Sequence, residues 1–127
     1  MNPDRITLMV TRGSLAGKEF VFEQPTECVV GRAKDCDVAF PQDWVNMNVS
    51  RHHCAFEIDP PTIWVRDLKS HNGTFVNGDN IAHAPAAAEP PAWELSDGDE
   101  VKVGNNVFRV AIGADKTNFG VVPLYFL

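Results

Sequence analysis

A chain of 127 residues with 44% apolar residues and a net charge of −6 has the size and composition of one folded domain. The acidic balance disfavours nonspecific nucleic-acid binding, which needs a basic face that displaces counterions. No apolar run approaches the roughly 20 residues that span a bilayer, so we expect no membrane insertion.

The three cysteines, Cys28, Cys36 and Cys54, are odd in number and contain no Cys-x-x-Cys pair. They predict a reducing, cytoplasmic location without a disulfide framework. The first five residues also lack the layout of a signal peptide. Zinc sites usually contain closely spaced ligand pairs, which these thiols and the adjacent His52-His53 do not form. We therefore predict no metal site and interpret the cysteines as small buried hydrophobic residues.

Nine short apolar runs bounded by turn residues predict β-strands. In chain order they are Ile6–Thr11, Phe20–Phe22, Glu27–Gly31, Val38–Phe40, Cys54–Ile58, Ile63–Asp67, Thr74–Val76, Glu100–Val103 and Val107–Ile112. No segment has the amphipathic stripe and caps of a helix. Many short strands with frequent turns indicate an all-β sandwich or barrel.

Two segments depart from the strand pattern. Ala82–Trp93 is rich in Ala and Pro and predicts a surface loop, because proline cannot donate to a central β-ladder. The apolar tail, residues 119–127, predicts a last edge strand within residues 113–127, and such an edge could pair with a second copy in a homodimer. We interpret Trp44, Trp64 and Trp93 as packing residues.

Three polar clusters lie at the ends of predicted strands: Gly31-Arg32, Ser50-Arg51-His52-His53 and Asn72–Gly78. Arginine holds a phosphate with paired hydrogen bonds, and short hydroxyl and amide side chains add further donors. An asparagine amide both donates and accepts, so it can bind a peptide backbone. The clusters therefore predict a site for a phosphorylated peptide.

The order and spacing of these clusters resemble the forkhead-associated (FHA) domain, a module that binds phosphothreonine. Asp67-Leu68-x-Ser70 and Leu95-x-x-Gly98-Asp99 match the same pattern, and the resemblance covers about residues 5–112. It implies a two-sheet β-sandwich of about eleven strands, with the ligand site on loops at one end, and a single domain over residues 1–127. It also implies a non-enzymatic adaptor in Ser/Thr kinase signalling, which needs no cofactor and binds phosphothreonine-containing proteins.

The resemblance assigns phosphopeptide binding to Arg32, Ser50, Arg51, His71 and Asn72, and support of the binding loops to Gly31, His53, Gly73, Thr74, Asn77 and Gly78. Arg32 and Ser50 would contact the phosphate, the Ser50 amide adding a second donor, while Asn72 would hold the ligand main chain. His53 would be buried and would not touch the ligand. The family seats the threonine methyl group in a small pocket, which implies a preference for phosphothreonine over phosphoserine.

Two features depart from the family pattern. The loop from Pro41 to Val49 is long and carries Trp44 and Met47, which could reshape one side of the site. His71 replaces a small or hydroxylated residue, and a histidine titrates near neutral pH. Phosphate contact is then expected to depend on pH.

Other functions remain open at this point. A hydrolase could use Ser50 and His53, although the sequence has no G-x-S-x-G elbow and indicates no third residue. A scaffold with the same fold could bind proteins without phosphate. Ser50 could instead cap a turn, and Asn72-Gly73 and Asn77-Gly78 are also strong hairpin-turn signals.

Thr117 lies in a polar segment between the predicted core and the apolar tail, where a kinase could reach it. A phosphate there would add nearly two negative charges and could engage the Arg32 site of a neighbouring copy. The sequence favours the simpler interpretation, that Thr117 is a turn residue.

Overall fold

Alternation of buried and exposed residues organises the chain into short strands joined by turns. The structure is a computed structural model that describes residues 4–82 and 92–113. Its elements are β1 (Ile6–Arg12), β2 (Glu19–Phe22), β3 (Thr26–Gly31), β4 (Val38–Ala39), a 3₁₀ helix (Trp44–Asn46), β5 (Cys54–Asp59), β6 (Thr62–Asp67), β7 (Thr74–Val76), β8 (Asp79–Asn80), β9 (Trp93–Leu95), β10 (Glu100–Val103) and β11 (Asn106–Ile112).

Two sheets face each other across one apolar core. One sheet has six strands in the order β2-β1-β11-β10-β7-β8, and the other has five in the order β4-β3-β5-β6-β9. Of these strand pairs only β3 and β4 run parallel. Phe108 from the first sheet contacts Phe56 from the second edge to face, with ring centroids 5.5 Å apart. This packing confirms the predicted all-β, two-sheet sandwich with eleven strands.

All nine predicted strands are present, and no strand end shifts by more than one residue. The missed strands, β8 and β9, have two and three residues, too few for a clear period of two. The predicted loop Ala82–Trp93 is wrong at its last residue, because Trp93 begins β9. Residues 83–91 of that predicted loop, and the tail with Thr117, lie outside the described residues.

The predicted role of the tryptophans is wrong at two positions. Trp44 is 82% exposed and Trp93 is 44% exposed, so neither is a core residue. Trp64 is half-buried and pairs with Glu57 on β5. Its neighbours Ile63 and Val65 alternate with it and are fully buried, which places Trp64 on the outer face of the five-stranded sheet. In the described parts of the chain, no helix is long and apolar enough to cross a membrane.

Candidate functional site

The loops that carry Arg32, Ser50 and Asn72 meet at one end of the sandwich. Backbone hydrogen bonds join the β3–β4 loop to the β4–β5 loop: the Arg32 amide donates to the Ser50 carbonyl at 3.1 Å, and the Ala33 amide donates to the Arg51 carbonyl at 2.9 Å. The Phe40 amide donates a hydrogen bond to the Gly31 carbonyl at 2.8 Å. The Arg32 and Ser50 backbones are therefore fixed next to each other.

Gly31 is required where these two loops cross. A Cβ atom at this position would lie 2.1 Å from the Arg51 carbonyl oxygen, which is well inside van der Waals contact. The sequence predicted that Gly31 serves turn geometry. That prediction is wrong about the reason for the glycine. Gly31 lies in a strand and not in a turn, and its missing side chain permits the close approach of two backbones.

His53 joins two of the binding loops from inside the protein. Its side chain is fully buried. Nδ1 accepts a hydrogen bond from the Ser50 amide at 2.9 Å, and Nε2 lies 2.8 Å from the Gly73 carbonyl oxygen. A carbonyl only accepts, so Nε2 carries the proton and Nδ1 does not. The neutral ring thus holds the Ser50 loop and the Gly73 loop at a fixed separation.

Burial lowers the pKa of the His53 imidazole, although the Gly73 carbonyl and the nearby Asp67 carboxylate act in the opposite direction. The unfolded chain therefore binds a proton more readily than the folded one. The stability contributed by neutral His53 is complete above the unfolded value of about 6.5 and is lost as the pH falls below it.

We expect the free energy of unfolding to decrease between pH 7.5 and pH 5.5, in part because protonated Nδ1 can no longer accept from Ser50. Urea unfolding at several pH values measures this slope. In His53→Gln the slope should be smaller than in the parent protein. An unchanged slope in the variant would remove His53 from the explanation.

The Ser50 hydroxyl is oriented by the neighbouring loop. Its Oγ accepts a hydrogen bond from the His71 amide at 2.9 Å, so the hydroxyl proton remains able to donate to a ligand. Because the Ser50 amide donates to His53, it does not serve a ligand oxygen as the sequence led us to expect. The side chain is half-buried at the surface of the site.

Arg32 is held at the base of its guanidinium group. Nε donates to the Val49 carbonyl, which joins the guanidinium group to the β4–β5 loop. No protein group within the described residues hydrogen-bonds to its two terminal nitrogens. The side chain is partly exposed. The Arg32 side chain therefore presents a positive charge and two terminal donor nitrogens next to the loop that carries Ser50.

Asn72 extends the site to the β6–β7 loop. Its Nδ2 donates to the Asn48 carbonyl at 3.1 Å, and the side chain is exposed. One amide proton is used in this bond, so the other proton and the amide oxygen remain for a ligand. The asparagine is thereby positioned by the same loop that positions Ser50 and Arg32.

The side chains of Arg51 and His71 are exposed at this end of the molecule. The hydrogen bonds that these two residues form with the rest of the site come from their backbones. The Arg51 carbonyl accepts from the Ala33 amide and from the Cys36 thiol. The His71 amide donates to Ser50. Their predicted contact with the phosphate stays a prediction.

A buried carboxylate shapes the β6–β7 loop, and sequence analysis gave it no functional role. Asp67 accepts from the Ser70 hydroxyl at 2.6 Å, the Ser70 amide at 3.0 Å and the Thr74 hydroxyl at 2.7 Å. The Ser70 hydroxyl also accepts from the Gly73 amide at 2.9 Å. Gly73 has φ +94, a left-handed conformation that favours glycine. The motif Asp67-Leu68-x-Ser70 was the available signal for this network.

Asn77 and Gly78 lie away from the other predicted residues. In β7, Thr74 pairs with Val103 and Val76 pairs with Val101, so the Asn77-Gly78 turn follows the end of the strand opposite Asn72. Asn77 accepts from the Glu100 amide at 2.9 Å and donates to Asp99 at 3.0 Å. These bonds join β7 to β10 and do not touch the binding loops, which corrects the predicted role.

The geometry disfavours the enzymatic alternative. In a Ser/His pair the hydroxyl donates to the imidazole, whereas here the His53 Nδ1 accepts from the Ser50 backbone amide. Both ring nitrogens of His53 are used in structural bonds. Ser50 and His53 are therefore not arranged as a nucleophile and its base.

The cysteines are buried thiols, as predicted. Burial raises the pKa of Cys28 to about 12, and it also raises the pKa values of Cys36 and Cys54 above their usual range. Metal binding needs the thiolate, which burial disfavours. In the described residues Asp35, Cys36 and His52 bring one ligand atom each within 4.8 Å of one another. His52 Nε2 lies 2.8 Å from Asp35, and the Cys36 thiol donates to a carbonyl, so each of these atoms already has a partner.

The family model for the FHA domain matches residues 28–104, a range that holds every residue of the site. This chain belongs to the FHA domain family. Its curated relatives include the glycogen accumulation regulator GarA of Mycolicibacterium smegmatis, which is 37% identical over 97 residues, 76% of this chain and 52% of the relative. The chain thus spans about half the length of that relative.

Solved FHA structures show the same fold. One, from a structural and functional analysis of phosphothreonine-dependent FHA domain interactions, is 26% identical, has a TM-score of 0.63, and covers 85% of this chain and 96% of that chain. Another, the FhaA FHA domain complexed with the intracellular domain of Rv3910, is 27% identical with a TM-score of 0.61, and covers 83% of this chain and 98% of that chain. Members of the family with this fold thus include domains crystallised with a protein partner.

Proposed function

We propose that this chain is a phosphothreonine-dependent binding module, acting as a non-enzymatic adaptor between a Ser/Thr kinase and a phosphorylated partner protein. The observation that carries the proposal is the convergence of Arg32, Ser50 and Asn72 on loops that His53 holds together. The strands from Ile6 to Ile112 share one core, so we further propose that residues 5–112 form a single domain.

The donors fit the chemistry of a phosphate bound to an extended peptide. The guanidinium of Arg32 supplies charge and a planar pair of N–H groups, and Ser50 adds a hydroxyl donor. A phosphate monoester carries close to two negative charges at neutral pH and accepts several hydrogen bonds. The Asn72 amide can then bind the ligand's main chain, which fixes the direction of the peptide.

The relatives support the same function. The solved structure from the study of phosphothreonine-dependent FHA interactions is 26% identical in sequence to this chain. The FhaA FHA domain is complexed with the intracellular domain of another protein. Both are consistent with a module whose task is to bind a partner protein.

Titration calorimetry with three peptides of one sequence, carrying phosphothreonine, phosphoserine or unmodified threonine, tests this function. We expect binding of the phosphothreonine peptide, weaker binding of the phosphoserine peptide and no measurable binding of the unmodified one. Equal affinity for all three would contradict the proposal. It would instead favour a scaffold that binds proteins without phosphate.

A further inference from the structure

Two asparagine side chains, those of Asn46 and Asn106, are fully buried where the β4–β5 loop meets the start of β11. Asn106 Nδ2 donates a hydrogen bond to Asn46 Oδ1 at 3.2 Å. Taking an amide out of water costs free energy unless its polar atoms find partners. A buried pair of asparagines therefore depends on a complete set of hydrogen bonds, and sequence analysis gave neither residue a role.

Ser14, in the β1–β2 turn, completes a closed ring of three hydrogen bonds with these asparagines. Its amide donates to Asn106 Oδ1 at 3.2 Å, and its hydroxyl accepts from Asn46 Nδ2 at 2.8 Å. The preceding Gly13 permits this approach, because a Cβ atom there would lie 2.0 Å from Asn106 Oδ1. We call Ser14, Asn46 and Asn106 the Asn46 ring. It joins the β1–β2 turn, the β4–β5 loop and β11 at a single point.

The Asn46 ring anchors a loop that buries few of its own residues. Of residues 41–49, only Asn46 and Val49 are buried. Asn46 Nδ2 also donates to the Pro41 carbonyl at 3.1 Å and to Asp43 at 3.2 Å. The Asn46 carbonyl accepts from the Val49 amide at 3.0 Å. These bonds run to both sides of Asn46 along the chain, so the conformation of the loop depends on this one residue.

Two carbonyl groups of the same loop hold the proposed ligand-binding side chains. The Asn48 carbonyl accepts from Asn72 Nδ2 at 3.1 Å, and the Val49 carbonyl accepts from Arg32 Nε. Asn48 and Val49 follow closely after Asn46 in the chain. A shift of the loop would therefore move Asn72 and Arg32 together. Groups that are held in their binding geometry before the ligand arrives lose less conformational entropy on binding.

We propose that Asn46 is a positioning residue for phosphopeptide binding, which acts through Arg32 and Asn72 and does not touch the ligand. This inference rests on the proposed function. Without the Asn46 side chain the ring opens, and the loop loses its bond to β11. The Asn48 and Val49 carbonyls are then no longer fixed. The ligand must order Arg32 and Asn72 itself, and binding is weaker for that reason.

Asn46→Ala tests this role through binding and through the Arg32 side chain itself. Calorimetry well below the melting temperature should show at least about tenfold weaker binding of a phosphothreonine peptide. NMR without ligand measures the exchange of the Arg32 Nε proton with water. In the parent this proton is bonded to Val49, and in the variant it should exchange at least about tenfold faster. The His53 Nε2 proton, bonded to Gly73, should stay as protected as in the parent.

A double-mutant cycle separates positioning from a general loss of stability. Because Asn46 acts in part through Asn72, Asn46→Ala should cost less affinity when Asn72→Ala is already present, about threefold instead of about tenfold. A residue that only stabilises the fold would give the same factor in both backgrounds. An equal factor would therefore contradict the action of Asn46 through Asn72.

The matched control is Ile58→Ala, which removes a buried side chain near the end of β5 that lies away from His53. The variant creates a cavity and destabilises the fold, but its affinity and its Arg32 Nε exchange should match those of the parent. If Asn46→Ala loses no more affinity than Ile58→Ala, or leaves the Arg32 Nε proton as protected as in the parent, the inference is wrong and the proposed function stands.

Ser14→Ala carries the same test if Asn46→Ala does not fold, because it opens the ring at an exposed residue. It should weaken phosphopeptide binding by at least about threefold and speed the exchange of the Arg32 Nε proton. Parental values for both would overturn the inference. A parent protein that binds no phosphopeptide would instead contradict the proposed function, and the inference would fail with it.

Discussion

Arg32→Ala is expected to weaken phosphothreonine-peptide binding by about 2–4 kcal/mol, roughly 30- to 1000-fold, while the fold persists. The substitution removes the charge and the two terminal nitrogens that face no protein partner among the described residues. The backbone bond from the Arg32 amide to the Ser50 carbonyl remains, so the two loops stay joined. Calorimetric titration of the variant measures the loss.

Two further variants make this test specific. Arg32→Lys keeps the charge but loses the planar fork and the Nε bond to Val49, so its affinity should fall between those of the parent and Arg32→Ala. Arg109→Ala removes an exposed charge from the middle of β11 and should bind like the parent. Parental affinity in Arg32→Ala would show that the site is assigned wrongly.

His53→Ala is expected to lower the free energy of unfolding by about 2–4 kcal/mol and to weaken binding as well. The change creates a cavity at a fully buried position. It also leaves the Ser50 amide and the Gly73 carbonyl without their partner, which adds the cost of unsatisfied buried groups. Urea unfolding measures the stability, and calorimetry below the melting temperature measures the binding.

His52→Ala is the control for this variant, because His52 is the next residue and is an exposed histidine bonded to Asp35. A surface pair of this kind contributes at most about 1 kcal/mol. His52→Ala should therefore be nearly as stable as the parent. Equal stability of the two variants would mean that the His53 bonds do not hold the loops together.

The local pattern of apolar and polar residues is enough to predict the longer strands of this fold. Strands such as β5 and β6 were predicted because alternating apolar side chains must face one core, and this constraint acts within a few residues. The polar clusters were likewise visible, because Arg32 follows a predicted strand and Ser50 and Asn72 each lie shortly before one. The very short β8 and β9 were missed, since their pairing with β7 and β6 defines them more than their own residues do.

The sequence by itself determined the all-β class, the family and the identity of the candidate ligand-binding side chains, since strand periodicity and motif spacing are local properties of the chain. Only the tertiary structure decided how those side chains are held. It showed that the Ser50 amide serves His53, that Gly31 permits a backbone crossing, and that Asn77 belongs to the far end of β7. It also showed that Trp44 is exposed. Whether a hydrophobic residue is buried depends on which surfaces the rest of the chain covers, and the residue itself carries no local signal of this.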